Sequence, residues 1–121
     1  MLNMKALQSA TLIGTALQLA MIVAGHFSAW VAVNVFMLGG LAISALAGLL
    51  HARNAMGGFA GAALGGAIAG GICALIGIAA SVALGDTPAV ILALGTVGSV
   101  VTGVMGGIAG QAVFGSRTAA T

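Results

Sequence analysis

The fold class this sequence predicts is all-α: an integral membrane bundle of four transmembrane helices with glycine-rich packing. Three observations predict it. Of 121 residues, 61% are hydrophobic and 3% are charged, whereas a soluble domain carries about 25% charged residues. Three Lys/Arg and one Asp cannot keep a folded surface in water, so lipid must be the solvent. The apolar residues also form four stretches, each long enough for a bilayer core that takes roughly 20 helical residues. Finally, many of the 21 glycines recur in steps of four, the spacing at which helices in lipid approach closely. The length suits one membrane domain over residues 1–121 with no second folded unit.

The first segment spans about 7–25 and follows Lys5. A basic residue before an apolar run is also the mark of a secretory signal. Here the run is long, and His26-Phe27-Ser28-Ala29-Trp30 offers no small-x-small cleavage site. A retained helix is the expectation. The second segment, about 29–50, has Ser28 as its cap, and His51-Ala52-Arg53-Asn54 reads as a polar loop after it. The third runs over about 57–84. Gly85-Asp86-Thr87-Pro88 then reads as a stop and restart, with glycine ending one helix and Asp86 or Thr87 capping the next. Pro88 fits the first turn of the fourth segment, about 88–114.

With four crossings, Lys5, Arg53 and Arg117 fall on one side of the membrane and Asp86 on the other. Basic residues are retained in the cytoplasm, so both termini are expected there. The size and Ala/Gly-rich composition point to a bacterial-type inner, or cytoplasmic, membrane.

The stretch GGFAGAALGGAIAGG, residues 57–71, holds seven glycines in fifteen positions. In water it would be a flexible linker. Inside an apolar segment it reads as a helix interface, because small residues let two backbones approach. Successive helical residues turn by about 100°. On that basis Gly57, Gly61 and Gly65 form one stripe, and Gly66, Gly70 and Gly77 a second, with Gly71 outside both. Gly40, Ser44 and Gly48 share an arc on the second segment. Gly95, Ser99, Gly103, Gly106, Gly107 and Gly110 share one on the fourth, opposite Val97, Val100, Val101, Val104 and Ile108. The Gly-x-x-x-Ser-x-x-x-Gly pattern at residue 40 recurs at residue 95. That recurrence is open to two explanations: a duplicated helical hairpin or convergence on small-residue stripes.

No carboxylate, lysine or arginine lies inside a predicted span, which argues against a proton-coupled exporter. Small multidrug-resistance transporters have this length and helix number but rely on a glutamate in the first helix. The corresponding region here holds Gln18, so the sequence does not match that family. Gln18, Asn34, Thr96 and Thr102 are the candidate lining of a polar pocket. The plainer alternative is that such groups hydrogen-bond between helices. His26 and His51 flank the second segment, on opposite membrane faces, and are expected at the interfaces against headgroups. Cys73 is alone and reads as a small buried hydrophobe. The sequence has no nucleophile–base pair, metal-ligand cluster, phosphate loop or basic patch for nucleic acid. The expected function is therefore non-enzymatic and free of cofactor or metal. Its role would be a packing or assembly subunit, in a homo-oligomer or with other membrane subunits. The rival is a small channel or carrier for a neutral or small solute.

Overall fold

A computed structural model of the protein describes residues 3–55 and 58–120, the last five by backbone alone. Five helices follow in order: α1 (Met4–Phe27), α2 (Ala29–Asn34), α3 (Phe36–Ala55), α4 (Gly58–Ala83) and α5 (Val90–Ala120). No strand occurs among the described residues. Four helices are long and apolar enough to cross a membrane: α1, α3, α4 and the Val90–Gly115 part of α5. The shortest, α3, has 20 residues, about 30 Å at 1.5 Å per residue.

The helix ends follow local chemistry. Asn3 Oδ1 accepts the Ala6 N–H at 3.1 Å and caps α1. Ser28 does the same for α2 through the Val31 N–H, at 3.5 Å. At the end of α4 the Asp86 N–H reaches Ser81 O and the Gly85 N–H reaches Val82 O, both at 3.0 Å. This double closure needs a left-handed residue, and Gly85 supplies it with φ of 81°.

Three sequence expectations are corrected. The second span, expected as one helix over 29–50, is two helices that meet at Val35 (φ −111°, ψ −33°). The Asn34 side chain donates to Trp30 O at 3.0 Å, a side-chain competitor for a helical carbonyl beside a run of β-branched valines. The polar loop expected at His51–Asn54 is helix, because α3 continues to Ala55 and no Gly or Pro intervenes to stop it. Neither the Asp86 nor the Thr87 side chain bonds the first turn of α5 among the described residues. Asp86 pairs with His26, and the Thr87 hydroxyl meets that of Ser81.

α3 and α4 form a central pair. α1 packs on one side of it and α5 on the other, each touching both central helices, and α1 and α5 do not touch among the described residues. The chain direction gives the bundle two distinct ends. His26 Nδ1 lies 2.8 Å from Asp86 Oδ2 at one of them. At the other, the Arg53 guanidinium lies 5.7 Å from the centre of the Phe114 ring. These are called below the Asp86 end and the Arg53 end. The apolar core is built from small residues, with Ala10, Ala47, Ala69 and Cys73 all buried and Leu7 at its edge.

Candidate functional site

The centre of the bundle is a polar junction. Gln18 of α1 is buried, and its amide nitrogen donates to Gly40 O at 3.1 Å and to Ser44 Oγ at 3.4 Å. Ser44 Oγ donates in turn to Gly70 O at 3.2 Å, and the Cys73 thiol to the same carbonyl at 3.3 Å. One glutamine thus ties α1 to α3, and one serine ties α3 to α4. The Gln18 carbonyl oxygen takes no part in these bonds.

On the Arg53 side of the junction, backbone faces backbone. A methyl group added to Gly103 would overlap Gly66 O; one on Gly66 or on Gly48 would overlap Gly103 O. Gly107 stands in the same relation to Ala62 O, and Gly106 to Ala45 O. Gly70 lies where an added Cβ would sit 2.9 Å from both Gly103 Cα and Ser99 O. Such surfaces leave no space between α3, α4 and α5. His51 is packed here as well, its imidazole filling the notch left by the missing side chain of Gly65. This corrects the expectation of an interfacial residue: His51 is fully buried, and neither ring nitrogen has a hydrogen-bond partner among the described residues.

On the Asp86 side the same helices stand apart. A cavity of about 480 Å³ opens there, walled by side chains of all five helices and by Asp86, Thr87 and Pro88. Its inner end is formed by Gln18, Gly40, Gly98 and Ser99. Most of its wall is apolar: Met21, Ile22, Phe36, Leu41, Ile78 and Ile91. Val33, Met37 and Leu94 also line it and are 82%, 75% and 64% exposed. The cavity therefore has a side opening between α2–α3 and α5. Gln18 is nine residues from the end of α1, so the cavity extends about 14 Å inwards, roughly half a bilayer core. Its mouth polar groups satisfy one another, Asp86 with His26 and Ser81 with Thr87.

Of the four expected pocket residues, only Gln18 lines this cavity. Asn34 is exposed and folds back on Trp30 O. Thr102 donates to Ser99 O of its own helix at 3.3 Å. Thr96 is half-buried, and its hydroxyl has no partner among the described residues. Among the expected packing residues, Gly40 and Gly95 meet side chains, Gln18 and Ile78 respectively. Gly61 is half-buried, and Gly57 lies outside the described residues. Ser81 was not singled out from the sequence, and Thr87 only as a cap for the fourth segment. Nor was the His26–Asp86 pair, although the crossing count alone puts both residues at one end.

A second feature also escaped the sequence reading. Gln8, Thr11 and Thr15 follow one another at helical spacing along α1 and line a surface groove of about 500 Å³ shared with Ile68, Ile72 and Ile76 of α4. The Thr15 hydroxyl is buried without a hydrogen-bond partner among the described residues. No family model, curated protein or solved structure matches this chain. No His/Cys/Asp/Glu group able to hold a metal is found among the described residues.

Proposed function

We propose that this is a non-enzymatic membrane protein that acts as an assembly subunit, and that the α1–α4 groove is where it meets a second copy of itself. The observation that carries this reading is the polar stripe Gln8–Thr11–Thr15 on a face that otherwise meets lipid. Polar side chains facing hydrocarbon are unfavourable, and in membranes they find partners on neighbouring helices. Amides and hydroxyls both donate and accept, so the stripe can pair with its own copy about a two-fold axis. The backbone contacts of the Arg53 half support a role in packing, since close approach is what holds helices together in lipid. The positions of Lys5, Arg53 and Arg117 support a reading in which the protein sits in the cytoplasmic membrane with both termini inside.

The test is oligomeric state in lipid nanodiscs. Thr15→Leu combined with Gln8→Leu should convert the assembly to a monomer while helix content is kept. A wild-type monomer, or a double variant still fully assembled, would remove the reading. Orientation is tested separately. An impermeant thiol reagent added to sealed cells should label a cysteine at Asp86 and spare one at Arg53.

The cavity favours a second reading, a small carrier for a neutral solute. It stops at the bundle centre, as one half of an alternating-access path would. Flux into liposomes above that into empty ones would support it.

A further inference from the structure

We propose that the cavity of the Asp86 half binds a neutral, largely apolar small molecule that carries one hydroxyl or N–H group, and that this group donates a hydrogen bond to Gln18 Oε1. The proposal goes beyond the assembly reading. It shares its cavity with the carrier reading, but it is tested by binding and not by flux.

Size and lining define the ligand class. A cavity of about 480 Å³ lies within the roughly 300–1,000 Å³ of small-molecule sites, which are mostly apolar with a few polar groups that fix orientation. The wall here has that character. Phe36, Leu41 and Ile78 surround an inner end where Gln18 and Ser99 are the polar side chains.

Charge excludes ionic ligands. The one charged side chain at the cavity is Asp86, at the mouth, and it is engaged with His26 at 2.8 Å. An ion moved to the inner end would lose its hydration with no counter-charge to meet it, which is strongly unfavourable in a low-dielectric site.

Hydrogen-bond polarity fixes the functional group. The Gln18 amide nitrogen is committed to Gly40 O and Ser44 Oγ, which sets the orientation of the side chain. What remains is the carbonyl oxygen, an acceptor. A ligand that donates satisfies it, and one that only accepts does not. The side opening beside Val33, Met37 and Leu94 suits entry from the hydrocarbon phase, where such a molecule concentrates. Alcohols and phenols of modest size fit every one of these conditions.

The experiment uses the full chain in zwitterionic nanodiscs, with partition into empty nanodiscs subtracted. The probes are 1-naphthol and 1-methylnaphthalene, which are close in shape and differ in the donor. 1-Naphthol should show a saturable component that binds about threefold to tenfold more tightly than 1-methylnaphthalene, the range of one hydrogen bond. Gln18→Met should remove that preference. Ala32→Trp, at the half-buried cavity wall, should abolish saturable binding of both probes at unchanged helix content. Equal saturable affinities for the two probes, or no saturable component at all, would overturn the proposal. So would a preference that survives Gln18→Met, or saturable binding that survives Ala32→Trp. The carrier reading is decided separately by liposome flux, so the site and that reading can fail independently.

Discussion

In the Arg53 half of the bundle Gly103 faces the backbones of Gly48 and Gly66, and α5 lies directly on the central pair. In the Asp86 half, one helical turn and more away, glycines are fewer and their neighbours differ. Gly95 meets the Ile78 side chain, Gly98 meets Leu41, and Gly77 meets Gln18. Glycines stand at helix contacts in both halves, yet one half is closed and the other holds a cavity. The difference teaches that a glycine stripe closes a bundle only where another small residue stands opposite. Where Gln18 enters between α1, α3 and α4, it holds Gly40 and Ser44 by hydrogen bonds, and the helices beyond it are spaced by side chains.

The largest effect should come from filling a backbone contact. Gly103→Ala places a methyl group on Gly66 O, and neither backbone can move without dragging a helix. A loss of about 3 kcal/mol is expected, at the upper end of overpacking, read as a lowered unfolding temperature in detergent. Next comes Gln18→Leu, which removes the ties to Gly40 O and Ser44 Oγ. Interhelical hydrogen bonds in lipid average about 0.6 kcal/mol, so unfolding should shift by about 1 kcal/mol and the cavity should lose its polar end. Gly98→Ala, in the open half, should change stability by no more than about 0.5 kcal/mol. Its new methyl would sit 3.3 Å from Leu41 Cδ2, the tip of a side chain that can move. Val101→Leu should have the smallest effect, since Val101 is 53% exposed on the outer face of α5. If Gly98→Ala matched Gly103→Ala, the contrast between halves would be lost.

The fold was legible to the extent that it depends on solvent. Composition and segment length lead to four long apolar helices, which the structure has. The end of α4 was also legible, because Gly85 supplies a backbone conformation that other residues rarely adopt. What was not legible depends on partners across space. His51 looked like part of a loop because it follows an apolar run beside Arg53 and Asn54. The helix runs on past it, and Gly65 of another helix makes room for its ring. Asn34 was expected in a polar pocket, but it ends α2 just before Val35, is exposed and bonds back to Trp30 O. The Gln8–Thr11–Thr15 stripe could have been read from helical spacing alone. The cavity could not, since it arises from the separation of α3 and α4 beyond the Ser44–Gly70 contact.

Two serines at the bundle centre allow the most direct test of that separation. Ser44 and Ser99 are both buried, at 0% and 3% exposure, but Ser99 lines the cavity and Ser44 does not. Each is replaced by cysteine in a Cys73→Ala background, and the rate of reaction with methyl methanethiosulfonate, a small neutral reagent, is measured in nanodiscs. Thiol reactivity follows access, so Ser99→Cys should react about tenfold faster or more. Equal rates would mean that the cavity does not reach the bundle centre, and the account of two unlike halves would be wrong.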